Sequence, residues 1–279
     1  MADGLLLVEK PSGITSHDAV NEVRRTLGIR KVGHAGTLDP MASGLLLMGV
    51  GRATRLLRFL GDLEKEYEGT GRLGTETDTL DALGELVRTT AVDIAEDQLL
   101  GAMAELEGVI EQQPPAFSAV KVGGRKLYEA ARRGERVEAP RRKVVVSRFD
   151  LVRFAGTDFD FLAVCSGGTY VRVLVAEVGK RLGCGAHLAR LVRTRIGPFR
   201  LSDAVPPDEP DALMPVERSV AHLPRLDLDP EEATAAMHGR PLAPAGIEGP
   251  YAVFDETRRL IGVYRDQGAQ ARPDVILSR

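Results

Sequence analysis

Three stretches of the chain combine residue types that could do chemistry. Gly33-His34-Ala35-Gly36-Thr37-Leu38-Asp39-Pro40 sets a carboxylate between glycines and a proline. Pro40 stiffens the backbone beside Asp39, and the glycines let another chain come close. An Asp-Pro pair equally opens turns and caps helices. No Gly-Lys-Ser/Thr follows the glycines, so this is not a phosphate-binding P-loop. His34 and Asp39 also lack further ligands nearby for a metal site. In Gly168-Thr169-Tyr170-Val171-Arg172-Val173, alternation predicts a strand with Tyr170 and Arg172 on one face. An arginine in so apolar a strand calls for a carboxylate, and Asp39 is a candidate; the other reading is an edge strand whose arginine points to solvent. Lys65-Glu66-Tyr67 places a tyrosine at a strand start, as a half-buried packing residue or as a reactive phenol. Asp78 and Asp81, in Asp-Thr-Leu-Asp, superficially resemble a phosphotransfer motif, but no apolar strand precedes them.

Several elements must position these residues. Gly4–Glu9 reads as a buried strand. Thr15 or Ser16 caps a helix carrying Val20, Val23 and Leu27, which Gly28 ends. Gly33–Gly44 is read as a loop and Leu45–Val50 as the strand after it. Further strands are expected at Tyr67–Leu73, Val144–Val152, Asp158–Val164 and Thr169–Val175, the last running into a helical stretch to Leu182, with another helix over Ile94–Leu106. Pro114-Pro115 opens a basic excursion that runs to Lys143. The Pro- and Asp-rich stretch Pro198–Pro224 reads as a linker. Asp229-Pro230-Glu231-Glu232 then starts a helix, and strand patterns at Tyr251–Phe254 and Leu260–Tyr264 complete a small β-rich module.

The 279 residues suit about two domains. With 43% hydrophobic residues, no Trp and 5% aromatics, the core must come from Leu, Val, Ala and Ile, and disorder throughout is excluded. No apolar run reaches the roughly 20 residues of a membrane span, and the N-terminus lacks a signal peptide's basic start. Cys165 and Cys184 form no disulfide framework and no zinc site; buried thiols in a reducing cytoplasm are the expectation. The formal net charge of −3 conceals segregation. Residues 61–111 carry 14 acidic and 3 basic side chains, whereas residues 121–148 carry 10 basic and 3 acidic ones. Such basic stretches suit a polyphosphate partner, or else form solvated faces paired with the acidic segment.

Gly33–Leu45, Lys65-Glu66-Tyr67 with the following LGTETDTLDALG, FSAVKVGGRKLYEAARRGE and CSGGTYVRVLVAEVGKRLGCGAHL together resemble the TruB family of tRNA pseudouridine synthases, in order over about residues 4–200. Glu9-Lys10-Pro11-Ser12-Gly13 also fits. The resemblance implies an α+β fold: a catalytic domain over 1–223, with a mixed, mainly antiparallel sheet and flanking helices, followed by a PUA-like module over 224–279. It implies isomerisation of uridine 55 in the tRNA T-loop after the base is flipped out. Asp39 is then the nucleophile, with Tyr67 and Arg172 the other catalytic residues. His34 enters the T-loop, and Tyr67, Tyr170 and Leu191 line the uracil pocket. The basic excursion, about 115–143, becomes an RNA-gripping insertion, with Lys121, Arg125, Lys126, Arg132, Arg133, Arg141 and Arg142 as backbone contacts. The expected partner is the tRNA T-arm, bound by a cytoplasmic monomer with no cofactor, no metal, no membrane and no obligatory protein partner. The C-terminal module is acidic, with 14 acidic against 8 basic residues over 201–279, unlike a dedicated phosphate-binding module. The alternative function is a non-catalytic RNA-binding or tRNA-folding factor on the same scaffold.

Overall fold

The first strand, Gly4–Lys10, is buried on both faces. Leu5 and Leu7 join Leu45, Leu47, Leu60 and Phe199, while Leu6 and Val8 join Val20, Val23, Leu46 and Val50. Two buried faces explain why its sequence is a continuous apolar run rather than an alternation. The computed structural model describes residues 3–118, 120–122, 124–127, 133, 139–210 and 213–277.

The central sheet runs in the order Gly4–Lys10, Ser43–Val50, Ala186–Ile196, Lys65–Leu73, Asp158–Cys165, Arg142–Ala155 and Gly108–Gln112. Val32–Ala35 pairs with Ser43–Val50, and Phe199–Arg200 with Ala186–Ile196. These pairings are antiparallel apart from Ser43–Val50 with Ala186–Ile196, which is parallel. The architecture is therefore the mixed, mainly antiparallel α+β fold expected. Helices Glu96–Ala104 and Val171–Arg181 contribute Leu99, Met103, Leu174 and Val178 to one large core under the sheet. Helix Ser16–Leu27 begins at a capping box between Thr15 and Asp18 and ends at Gly28, whose φ of 65° is left-handed.

Four expectations change. Thr169–Val175 is no strand: Tyr170 caps the helix Val171–Arg181. Val171, Val173 and Val175 mimic a period of two, but Val171, Leu174, Val175 and Val178 also stand at helical spacing, and burying that stripe decides the outcome. The loop assigned to Gly33–Gly44 yields its start to the strand Val32–Ala35. Ala186–Ile196, not foreseen as a strand, lies in the middle of the sheet. The linker assigned to Pro198–Pro224 is instead strapped along the free edge of the first strand. Val205 exchanges hydrogen bonds with Leu7 and Glu9, and Met214 with Leu5, at 2.8–3.0 Å. That strap covers an otherwise exposed sheet edge.

Beyond it, Arg225–Asp227, Pro250–Phe254, Leu260–Gln267 and Gln270–Ile276 form a separate four-stranded sheet. Helix Pro230–Met237 packs on one face behind its Asp229 cap. On the other, Val220, Phe254, Val263 and Val275 pack with Leu56 of the 3-10 helix Gly51–Leu60. From the same helix, Arg52 donates to the Leu277 carbonyl at 2.9 Å and Arg58 to that of Asp274 at 2.6 Å. Among the described residues no helix is long and apolar enough to cross a membrane.

Candidate active site

The loop carrying Asp39 is pinned from three sides. At the start of the first helix, Ser16 Oγ accepts from the Leu38 N–H at 2.9 Å and donates to its carbonyl at 3.0 Å. The Gly13 N–H donates to the Pro40 carbonyl at 2.8 Å. Lys10, fully buried, keeps that turn in place by donating to the Pro11 and Ile14 carbonyls, each at 2.8 Å. From below, the buried Arg193 donates to the carbonyls of Leu45 at 2.7 Å, Gly36 at 3.0 Å and Thr37 at 3.5 Å. A loop fixed at so many carbonyls holds its carboxylate in one orientation.

Arg172, 4% exposed, meets Asp39 from the first turn of its helix. Its Nη2 donates to Asp39 Oδ1 at 3.2 Å, and its Nε lies 3.2 Å from Oδ2 without hydrogen-bond alignment. The same guanidinium donates to the carbonyls of Thr79 at 3.1 Å and Phe117 at 2.7 Å, and stands 3.9 Å from Asp81 Oδ2. The expected Asp39–Arg172 pair is thus present, delivered by a helix instead of a strand. Burial pushes the Asp39 carboxyl up; Arg172 draws it down, and nearby Asp81 raises it again. The net direction is upward from the ordinary 3.8, yet the side chain remains 32% exposed.

Tyr67 lies on the inward face of Lys65–Leu73, in one apolar cluster with Leu38, Ala42, Ala163 and Leu191. The next two inward positions are Gly69 and Gly71, where a Cβ would stand 2.4 and 2.3 Å from the rings of Phe161 and Phe159. Burial raises the Tyr67 phenol, so it stays protonated at neutral pH. Leu191, paired with Gly69 across the sheet, closes the same side. Tyr170 is partly exposed beside Arg172, whose Cζ lies 5.7 Å from its ring centroid. His34 stands apart on its own strand, with no hydrogen bond to Asp39, Tyr67 or Arg172 among the described residues; burial lowers its pKa and favours the neutral ring.

The residues assigned to RNA gripping have separate locations. Lys121 and Lys126 pair across a short hairpin with Arg125 beside them; Arg132 lies outside the described residues; Arg133 and Arg141 are exposed. Arg142 is turned inward over Tyr170.

Two residues at the site were not anticipated as functional. Asp81 is buried, and its Oδ1 accepts from Thr79 Oγ1 at 2.7 Å and the Leu83 N–H at 3.0 Å. The acidic turn-rich character of its segment is a sequence signal, but one that the lack of a preceding apolar strand argues against. Arg193 carries no signal beyond its basic surroundings.

A partly exposed carboxylate with guanidinium support, carried next to the apolar cluster of Leu38, Tyr67 and Leu191, can act as a nucleophile. A family model described as TruB family pseudouridylate synthase, N-terminal domain, matches residues 24–171, more than half of the sequence. The chain belongs to the TruB family. A second model, tRNA pseudouridine synthase II, C-terminal, matches residues 223–277. Similar proteins include tRNA pseudouridine synthase B of Mycobacterium sp. (strain KMS), 46% identical over 99% of this chain and 96% of that one. The protein of the same name from Thermobifida fusca (strain YX) is 44% identical over 100% and 99%. Among solved structures, one of a Cbf5-Nop10-Gar1 complex aligns with a TM-score of 0.76 at 27% identity, covering 98% of this chain and 84% of that one. One of the archaeal box H/ACA sRNP Nop10-Cbf5 complex gives 0.75 at 26% identity, covering 98% and 86%. In this TruB-family pseudouridine synthase, Asp39 falls near the start of the N-terminal match and Arg172 one residue beyond its end.

Proposed function

We propose that this chain isomerises uridine 55 in the T-loop of tRNA to pseudouridine, with Asp39 as nucleophile. The observation that carries the reading is the partly exposed Asp39 carboxylate flanked on both oxygens by the buried Arg172, in a chain similar to proteins named tRNA pseudouridine synthase B. In the reaction the bond from C1′ to N1 breaks, a bond from C1′ to C5 forms, C5 loses a proton and N1 gains one. Atoms balance without a co-reactant. Residues 1–223 act as the catalytic domain and 224–279 as a PUA-like module, in a cytoplasmic enzyme.

The target base is flipped from its loop, which costs a few kcal/mol. His34 enters the vacated space and offsets part of that. Tyr170, Tyr67 and Leu191 hold the freed uracil while it turns, and the protonated Tyr67 phenol serves proton movement in this reading. The direct test is tritium release from C5-labelled uridine in a T-arm hairpin. Absence of release by pure wild-type protein would remove the reading.

The shift of Asp39 sets a pH dependence. Only the ionised carboxylate attacks, and burial favours the neutral form, so the proton leaves at a higher pH than from an ordinary aspartate. The single-turnover rate at saturating enzyme is expected to fall on acidification with a midpoint above 3.8. A rate holding steady down through that value, in protein that stays folded, would contradict it.

The basic arm is assigned to the RNA backbone. Replacing Arg132, Arg133 and Arg141 together by glutamine is expected to weaken hairpin binding, with the log–log salt slope reduced by roughly 0.7–0.9 for each phosphate that is no longer neutralised. Binding titrations at several salt concentrations measure this. An unchanged slope would mean that these arginines touch no phosphate.

A further inference from the structure

The strands that enter and leave the basic arm pair over five positions, and the pair nearest the arm is Gln112 with Arg142. Gln112 ends the strand Gly108–Gln112, Arg142 opens Arg142–Ala155, and the two are register partners. Both turn to the same residue. Gln112 is 3% exposed; its Oε1 accepts from the Tyr170 N–H at 3.0 Å and its Nε2 donates to the Tyr170 carbonyl at 3.2 Å. The Arg142 guanidinium donates to the Gly168 carbonyl and lies over the Tyr170 ring, with its Cζ 4.7 Å from the centroid.

Tyr170 is the N-cap of the helix that carries Arg172, and its own side chain makes no capping hydrogen bond. Its carbonyl accepts from the N–H groups of Val173 and Leu174 at 3.1 and 3.2 Å. A helix start without a side-chain cap has little to fix its entry angle. Here the Gln112 amide grips both backbone polar groups of the cap, and Arg142 covers its ring. Arg172 follows two residues later. From the same arm, the Phe117 carbonyl accepts from Arg172.

We propose that Gln112 and Arg142, paired at the base of the arm, are positioning residues that fix Tyr170 and the first helical turn behind it, and so aim Arg172 at Asp39. The proposal rests on the reading of the chain as a T-arm pseudouridine synthase, and it gives Arg142 a task other than holding phosphate. Misplacing a catalytic group by about 1 Å costs on the order of a hundredfold in rate, so a loosened cap is expressed in turnover before it is expressed in binding.

The test uses the full-length chain, a C5-tritiated T-arm hairpin, single-turnover rates at saturating enzyme across pH, and hairpin affinity across salt. Gln112→Ala is expected to slow the rate on bound RNA by about tenfold or more while affinity stays within about threefold. Its acid limb should also move to higher pH. Among the described residues, the charged and titratable groups that act on Asp39 are Arg172, Asp81, Lys10, Arg193 and Tyr67; none is substituted, so a displaced Arg172 is what leaves Asp39 with less countercharge. Arg142→Met keeps the stem and is expected to slow the bound-state rate with an unchanged salt slope. Because Arg142 is partly exposed, this variant carries the test alone should Gln112→Ala fail to fold. Weaker binding and a smaller salt slope at an unchanged rate would overturn the proposal and make Arg142 a phosphate ligand. A loss of active fraction with the pH midpoint unmoved would overturn it too, since misfolding alone gives that. If the wild type itself releases no tritium, the functional reading fails and the proposal with it, whereas active wild type alongside wild-type-like variants sinks the proposal alone.

Discussion

Asparagine in place of Asp39 will abolish turnover and leave hairpin affinity within about an order of magnitude of the wild type. The amide keeps the shape of the carboxylate and can still accept from Arg172. It cannot attack the sugar. The loop that carries it is held by Ser16, Gly13 and Arg193 through the backbone of Leu38, Pro40, Gly36 and Thr37, none of which the substitution touches. Loss of activity through a rearranged loop is therefore not expected. The measurements are tritium release and hairpin titration on the same preparation, with thermal melting to show that the fold is intact. Substantial turnover by pure variant would remove Asp39 as nucleophile. Loss of both turnover and affinity would mean that Asp39 organises the RNA-binding surface. The same variant separates catalysis from any RNA-folding role, because a protein that acts only by binding RNA would not notice the exchange.

Some of this site is legible from residue types, and some is hidden for physical reasons. Asp39 stands out because glycine and proline flank it, and those residues act through local backbone preferences that sequence displays. Thr15, Gly28 and Asp229 mark helix ends for the same reason. The partnership of Arg172 with Asp39 follows from the cost of burying an arginine, which holds whichever element carries it. The element itself is misread, because a Val-rich segment satisfies the strand period and the helix period together, and only packing against the sheet chooses between them. Arg193 is hidden more deeply. It is fully buried with no carboxylate among its hydrogen-bond acceptors in the described residues; its donors go to carbonyls such as those of Leu45 and Gly36, 148 and 157 residues away in the chain. No local pattern encodes that. Asp81 belongs to the same class. Its burial depends on a loop strapped to Ala186–Ile196, where the Ala82 N–H donates to the Leu188 carbonyl and the Leu188 N–H to the Leu80 carbonyl, each at 3.0 Å.

Lysine in place of Arg172 will cost far more than its retained charge suggests. The guanidinium serves three acceptors, Asp39 and the carbonyls of Thr79 and Phe117, with the Asp81 carboxylate a further 3.9 Å neighbour. It spans them because its donors fan out in one rigid plane. An ammonium group is a point. Set near Asp39 it abandons at least one of the two carbonyls, and set between the carbonyls it loses the side-on approach to the carboxylate. Each charge-assisted hydrogen bond that disappears is worth ~1.5–3 kcal/mol. If two disappear and the deficit falls on the transition state, the rate drops by about a hundredfold or more. The buried lysine also pays desolvation more heavily than the more weakly hydrated guanidinium, which leaves Asp39 less firmly ionised. The expected result is a single-turnover rate reduced by at least about a hundredfold on bound hairpin, an acid limb displaced upward, and little change in affinity, since Arg172 is 4% exposed and offers RNA phosphates no surface. A rate near that of the wild type would show that charge alone suffices at this position and that the planar fork of Arg172 does not set the orientation of Asp39.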